Sequence, residues 1–261
     1  MIPLLLLGVA RLAAAQPPPS VAPAPAIETV RWSGELGERD AIEIDNPRGD
    51  LRLRGAEGEG VELVAAVQRL GPPTRRARLE VTPNGDRLRV RVSVPEGERG
   101  RLEDRVDLVV LLPRRASVVA RVGFGRLEAR GLTGSLDLAT VSGALALDLG
   151  GGARARSVSG ALEVFVARGA LAAGVELASG AGPVRVELDR AAEGAVEIRA
   201  RDRILLDQAL PFRREEAGDP EHRMRGRVGA GAGRLSIEAG GEVQLLWARA
   251  GAVRAEPGGA P

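Results

Sequence analysis

Apolar and polar residues alternate along most of this chain, and glycines interrupt the alternation at a short, regular interval. From Gly125 onward, a glycine is followed by a small or charged residue and then by apolar residues at every second position. As far as Gly169 these glycines lie 8 or 9 residues apart. Because side chains alternate between the two faces of a β-strand, the pattern predicts strands of about five residues joined by tight turns. The interval is too short for a repeat that contains a helix.

The glycine repeat has a longer unit of roughly 17–20 residues that contains two strands. Thr140-Val-Ser-Gly-Ala-Leu145 and Ser157-Val-Ser-Gly-Ala-Leu162 are nearly identical and show the match directly. Two strands in each unit predict a flattened coil whose turns stack about 4.8 Å apart and pair through their backbones. The predicted fold class is therefore all-β, a single-stranded, β-helix-like solenoid of short strands with glycine turns. A series of short β-hairpins in a sandwich fits the same spacing.

Stacking of the units predicts rows of side chains that share a face. The interior rows are predicted to be Leu127, Leu145, Leu162 and Leu136, Ala153, Leu171. The outward rows are predicted to be Glu128, Ala146, Glu163 and Asp137, Arg154, Ala172. If this register is right, aliphatic side chains from successive turns fill one shared interior.

One β-strand-repeat domain is predicted over residues 27–250. Its first part has longer strands and a hairpin at Asn84-Gly85, a dipeptide typical of a type I′ turn. The predicted subdivisions are longer strands over 27–120, regular repeats over 121–200, a charged loop over 201–227 and C-terminal strands that cap the stack over 228–250. Residues 251–261 are predicted to be a tail.

The N-terminus is predicted to be an export signal and a spacer. Ile2–Ala10 is a short apolar run, and Ala13–Ala15 fits a small-residue cleavage site, so residues 1–15 are predicted to be a signal peptide. No arginine or lysine precedes the run, which departs from a typical signal. The run is also shorter than a membrane span. Residues 16–26 are proline-rich and predict an extended spacer, so the protein is expected in the periplasm, at the cell surface or in the medium.

Composition narrows the class of protein further. Of the 261 residues, 44% are hydrophobic and 35 are glycine, which indicates a folded body with many turns. The pI of 10.4 accompanies a net charge of only +2, because all 37 basic residues are arginine and no lysine, tyrosine or cysteine titrates. The arginines alternate with acids, which predicts ion pairs on solvent-facing strands and argues against nucleic-acid binding.

Few residues offer catalytic or metal-binding chemistry, and no catalytic, cofactor or metal site is predicted. The chain has one histidine, His222, and no cysteine, so it lacks the ligands of a zinc or iron site. Ser142, Ser159 and Ser179 lie beside turn glycines with no second histidine or lysine to act as a base, which favours a structural role.

Two glutamates and one phenylalanine need separate consideration. Glu128 and Glu163 fall two turns apart, about 9.6 Å by strand spacing, at the outer limit for an inverting pair of carboxylates. Phe165 falls at an outward position, but large aromatic residues are usually buried, so it is predicted to turn into the core. Alternatively, Phe165 marks a flat face used for binding.

Several of these segments resemble a bacterial β-strand-repeat family of unknown function that is often labelled putative adhesin. The similar segments are Val106–Pro113, Val118–Gly125, the Val-Ser-Gly-Ala-Leu repeats and the opening repeat Gly49–Gly55. The resemblance covers roughly residues 27–247 and implies a β-solenoid in the cell envelope, with no established catalytic residues. The long gap before Gly180 and the charged insertion near 210–225 depart from the family pattern.

The predicted function is that of an exported, non-enzymatic module of the bacterial cell envelope with a binding or structural role. Its partner is expected to be an envelope or extracellular glycan or protein. One alternative is a carbohydrate-active enzyme on a β-helix scaffold, for which Glu128 and Glu163 are the candidate residues. The other is an envelope regulator that binds a partner protein.

Overall fold

The computed structural model describes residues 26–36, 40–69, 76–84, 87–95, 104–215, 219 and 221–248. The predicted signal peptide, nearly all of the spacer and the tail lie outside this part of the chain. The described residues form two mixed β-sheets and one short helix, so the all-β class is confirmed.

Sheet A contains ten of the strands. In spatial order they are β1 (Ala26–Glu35), β4 (Gly60–Arg69), β7 (Arg105–Pro113), β3 (Leu51–Ala56), β9 (Leu127–Leu132), β11 (Leu145–Leu149), β13 (Leu162–Val166), β15 (Val184–Leu188), β21 (Val243–Trp247) and β17 (Ile204–Leu206).

Sheet B contains eleven strands. In spatial order they are β18 (Phe212–Arg214), β19 (Arg223–Val228), β16 (Gly194–Ala200), β20 (Gly233–Ala239), β14 (Val175–Ser179), β12 (Ala153–Ser159), β10 (Leu136–Ser142), β8 (Ser117–Phe124), β2 (Ala41–Arg48), β6 (Arg87–Ser93) and β5 (Arg78–Asn84).

In the centre of the molecule, consecutive strands alternate between the sheets, and strands one repeat apart pair in parallel. Leu145 on β11 pairs with Leu127 on one side and with Leu162 on the other, and all three side chains are fully buried. The first predicted interior row is therefore confirmed. Buried aliphatic residues of both sheets form one continuous core, as expected when alternate positions of each strand face inward.

The second predicted row is right for two members and wrong for the third. Leu136 pairs with Ala153, but the next partner of Ala153 is Val175 and not Leu171. Leu171 lies in the one short helix, α1 (Arg168–Ala173), which adds six residues between β13 and β14. Its side chain is nevertheless fully buried. The inserted helix also moves Ala172 out of the outward row, where Glu176 takes its place beside Arg154.

At the C-terminal end, the order of strands in space differs from their order in the sequence. The pair β20–β21 lies between β14–β15 and β16–β17, although it follows both in the chain. Residues 228–250 therefore do not cap the stack as predicted. The outer positions go to β16–β17 and to the antiparallel strands β19 and β18. The predicted charged loop over 201–227 is wrong in part, because it contains β17, β18 and most of β19.

Glycine is required at the corners where strands of sheet B turn into sheet A. Gly143 has a φ of +147°, and a Cβ atom there would lie 1.9 Å from the carbonyl oxygen of Gly125 on the neighbouring turn. Gly125 has the same relationship to Gly49, at 2.1 Å. Since only a residue without a side chain fits such an approach, the glycine interval in the sequence reflects the stacking of the corners.

Candidate functional site

On the outer face of sheet A, five side chains from neighbouring strands lie in one row, with a glutamate and then an arginine on each side of a central alanine. The strand register aligns, in order, Arg52, Glu128, Ala146, Glu163 and Arg185. The predicted outward row of Glu128, Ala146 and Glu163 is thus confirmed. Ala146 is only 9% exposed although it faces outward, because the longer side chains around it rise above it.

Glu128 is held by arginines and is 8% exposed. Its carboxylate lies 2.6 Å from Arg130 Nη2 and 3.0 Å from Arg54 Nη2, with Arg52 Nε at 3.9 Å. Glu128 is therefore engaged in ion pairs within the protein and is almost inaccessible to a ligand.

A groove of about 650 Å³ lies over Ala146. Its volume is within the range of sites that bind small molecules or short segments of polymers. It is lined by Arg126, Arg130, Ala146, Leu147, Glu163, Val164, Arg185 and Glu187. Five of these eight residues are charged, so the groove is a polar site.

Ion pairs neutralise some of the charges around the groove and leave two side chains available. Arg130 is paired with Glu128, and Arg185 Nη2 lies 3.2 Å from Glu187 Oε1. Arg126 and Glu163 have no ion-pair partner among the described residues. The groove therefore offers one free guanidinium group and one free carboxylate.

These two free groups favour different parts of a ligand. A guanidinium group binds carboxylates through paired, parallel hydrogen bonds. A carboxylate accepts hydrogen bonds and is suited to hydroxyl groups. A ligand that carries both carboxylates and hydroxyls, such as an acidic sugar, matches the groove.

Phe165 does not turn into the core, so that prediction is wrong. It lies on the outer face of sheet A, with Asp148 on one neighbouring strand and Glu187 on the other, and is half-buried. Strand β13 keeps its alternation without a bulge, because Val164 and Val166 are buried on either side of it. Phe165 thus adds an aromatic ring to the face that carries the groove.

The predicted structural role of the turn serines is confirmed for two of them. Ser159 Oγ donates a hydrogen bond to the carbonyl oxygen of Val141, at 3.1 Å. Ser179 Oγ donates to the carbonyl of Gly160 at 3.0 Å and accepts from the backbone N–H of Gly182 at 2.9 Å. These hydroxyl groups connect neighbouring turns.

His222 is exposed and forms a local pair. Its Nδ1 atom lies 2.7 Å from Asp219 Oδ2, and this hydrogen bond lowers the pKa of Asp219. Within the part of the chain that the structure describes, no three histidine, cysteine or carboxylate residues come together as metal ligands. Across the same residues, no helix has the length and apolar character needed to cross a bilayer.

The outer face of sheet B carries ion pairs between neighbouring strands, which confirms the prediction of paired charges on solvent-facing strands. Arg121 pairs with Asp137 at 3.1 Å, and Arg154 pairs with Glu176 at 2.8 Å. The hydrogen bond and charge of Arg154 lower the pKa of Glu176.

The sequence pattern does not identify the arginines of the groove as functional residues. Arg185 is two residues before Glu187 and directly beside Glu163, but this is visible only once Val184 is aligned with Leu162. The repeat decays in sequence at this point, so the sequence does not show this alignment. Arg126 directly follows the corner glycine Gly125 and lines the groove, and no feature of its sequence position indicates that role.

No protein-family model matches the chain, and no curated protein matches it. Solved structures with similar folds include a putative cell adhesion protein from Clostridium sporogenes, with 11% sequence identity and a TM-score of 0.49 over 85% of this chain and 100% of that one. Another is a putative adhesin from Bacteroides fragilis, with 12% identity and a TM-score of 0.42 over 86% and 100%.

A third similar structure is a putative lipid binding protein from Parabacteroides distasonis, with 12% identity and a TM-score of 0.32 over 84% of this chain and 96% of that one. Putative adhesins from Parabacteroides distasonis and Parabacteroides merdae are also similar in structure, with TM-scores of 0.32 and 0.27.

Proposed function

We propose that this protein is an exported, non-enzymatic binding module of the bacterial cell envelope, with an adhesin-like role and a β-solenoid architecture. The solenoid description is supported by the parallel pairing of strands one repeat apart and by their regular alternation between the two sheets. The residues 1–15 with their small-residue cleavage site support export.

The groove over Ala146 is the proposed ligand site, and an acidic glycan is the proposed ligand. The observation that carries this proposal is the pair of free charges, Arg126 and Glu163, in a groove whose other charges are neutralised. Arg126 would bind a sugar carboxylate, and Glu163 would accept hydrogen bonds from hydroxyl groups. The groove follows a row across several strands, which suits an extended polymer.

The state of Glu128 supports binding over catalysis. Hydrolysis of a glycosidic bond by a carboxylate pair needs one carboxyl group that is protonated and one that is ionised. Glu128 is paired with Arg54 and Arg130 and is almost inaccessible to a substrate. Glu187, the other carboxylate of the groove, is paired with Arg185 at 3.2 Å.

Binding of polygalacturonate to the purified protein, measured by calorimetry with neutral dextran for comparison, tests the proposed site. We expect Arg126→Gln to weaken binding about tenfold, because a charge-assisted pair is lost. Ala146→Leu is expected to weaken it similarly by filling the groove. The control is Arg168→Gln, an exposed arginine on helix α1 away from the groove. Equal binding of polygalacturonate by all these proteins would contradict the proposal.

Export is tested separately. When the full chain is expressed in a Gram-negative bacterium, mass spectrometry of the mature protein is expected to find an N-terminus at Gln16. An intact chain recovered from the cytoplasm would contradict the export part of the proposal and leave the binding part unaffected.

A further inference from the structure

Three exposed apolar side chains lie together at one edge of the molecule, where strands of sheet B turn into sheet A. Phe124 is 56% exposed, Val141 51% and Val158 62%. Phe124 pairs with Ser142, and Ser142 pairs with Ser159, so the three apolar residues come from three adjacent strands. Among the other large apolar residues that the structure describes, only Ile27, at 68%, is as exposed, and Leu205 follows at 40%.

Four adjacent turns at this edge carry no acidic residue, and Asp50, in the neighbouring turn that contains Arg48, is paired with Arg105 at 3.1 Å. We define the turn edge as residues 122–126, 140–145, 157–162 and 179–184, which come from four adjacent turns. These segments consist of glycine, serine, threonine, alanine, valine, leucine, proline, one phenylalanine and one arginine. In a chain with 35 acidic residues, such a surface is free of the negative charge that would oppose an anionic partner.

Two cations without partners lie next to the exposed apolar residues. Arg48 on β2 is directly beside Phe124 in the strand register. Arg156 lies two residues before Val158 on β12, on the same outward face. Neither guanidinium group has an ion-pair partner among the described residues, whereas many arginines of the sheet faces are paired.

The form of the turn edge favours a flat partner. The three apolar side chains stand on the narrow edge of a two-layer structure and each is more than half exposed, so they project outward. Val141 and Val158 occupy equivalent positions on neighbouring strands, about 4.8 Å apart. Phe124, which is in register with Ser142 and Ser159, lies one residue further along the next strand. Apolar side chains flanked by cations match the interface of a membrane, where acyl chains meet anionic headgroups.

We propose that the turn edge docks on the surface of a bilayer that contains anionic phospholipid. Phe124, Val141 and Val158 enter the boundary between headgroups and acyl chains, and Arg48 and Arg156 contact lipid phosphates. Arg126 belongs both to the turn edge and to the lining of the groove over Ala146, but the membrane contacts are assigned to other residues, so the inference does not depend on the glycan proposal.

Co-sedimentation of the full chain with vesicles tests this inference. One set of vesicles is phosphatidylcholine alone, and the other is phosphatidylcholine mixed with phosphatidylglycerol. We expect the wild type to bind the mixed vesicles. The double variant with Val141→Thr and Val158→Thr is expected to have a partition coefficient about tenfold lower, because apolar contact with the membrane is lost. Phe124→Ser is expected to have a similar effect. Arg48→Gln and Arg156→Gln are each expected to reduce it about fivefold, with the mixed vesicles only.

These substitutions are chosen to preserve the fold. Threonine keeps the branched shape of valine, and serine occupies the position equivalent to Phe124 on both following strands, at Ser142 and Ser159. Matched controls are Ile27→Thr, at an apolar residue that is 68% exposed on β1, and Arg168→Gln on helix α1. Unchanged circular dichroism and melting temperature show that the variants are folded.

Two results would overturn the inference. One is equal vesicle binding by the turn-edge variants and the controls. Residues 1–25 are the same in all of these proteins, so any binding through them does not affect the comparison. The other is a combination of two observations. Sedimentation velocity without vesicles would show self-association of the wild type that the turn-edge variants abolish, and phosphatidylglycerol would not change vesicle binding by the wild type. That result would assign the edge to contact between copies of the chain.

Discussion

Glu128 and Arg54 lie on neighbouring strands of sheet A, and the Arg54 Nη2 atom is 3.0 Å from Glu128 Oε1. Together with Arg130, this contact satisfies a carboxylate that is 8% exposed. Removing the charge of a buried ion-pair partner leaves the opposite charges without compensation. Glu128 is therefore expected to be important for stability, whereas Glu163, in the same row, is free to contact a ligand.

Glu128→Gln is expected to lower the free energy of unfolding by about 1–3 kcal/mol, because Arg130 and Arg54 lose their charged partner. Urea denaturation measures the effect. The matched control is Glu163→Gln, which is exposed and unpaired and is expected to change stability by less than about 0.5 kcal/mol. Equal effects of the two substitutions would contradict the assignment of distinct roles.

Gly143→Ala is expected to destabilise the protein by about 3 kcal/mol or more, since the new Cβ would lie 1.9 Å from a backbone oxygen at a φ of +147°. Thermal unfolding followed by circular dichroism checks this. Gly60→Ala is the control, because the nearest atom to a Cβ there lies 3.9 Å away. If the two variants have the same melting temperature, the stacking of the corners does not require glycine.

Leu145→Ala is expected to lower the free energy of unfolding by about 2–5 kcal/mol, because the side chain is fully buried between Leu127 and Leu162. Val141→Ala, four residues earlier on the exposed edge, is expected to cost less than about 1 kcal/mol. A small effect at Leu145 would mean that the interior row does not support the fold.

The carboxyl group of Glu176 is expected to titrate below its ordinary value, because Arg154 donates a hydrogen bond to its ionised form. A lowered pKa stabilises the folded state above the unfolded-state pKa, and this contribution is lost as the pH falls through the lowered value. NMR titration should show the pKa of Glu176 rising in Arg154→Gln. No change in that variant would show that the ion pair does not form in solution.

The interior of the fold was predictable because its pattern is local. Leu127, Leu145 and Leu162 share a row because each follows a corner glycine by a similar interval, and the sequence shows that interval directly. The position of Leu171 was not predictable in this way. Leu171 follows Gly169 by the same interval as the leucines of the strands, yet it lies in helix α1, which buries the adjacent residues Ala170 and Leu171.

The candidate site was only partly predictable, because it depends on register between distant segments. Glu128, Ala146 and Glu163 were placed in one row from the regular repeats. Arg185 joins that row through a strand whose glycine signal has decayed. The general preference for aromatic burial predicts Phe165 in the core, whereas the alternation of its own strand predicts it on the outer face, and the structure follows the alternation.

The position of β20–β21 between β14–β15 and β16–β17 has a consequence for how the chain is completed. If the strands were stacked in the order of the sequence, β16 and β17 would pair directly with β14 and β15. Instead, β20 and β21 pair with β14 and β15, so the native strand order at this end is complete only once residues 233–247 have joined the two sheets. At this end the parallel series gives way to antiparallel pairing in sheet B, where β19 and then β18 follow β16, whereas sheet A ends at the short parallel strand β17.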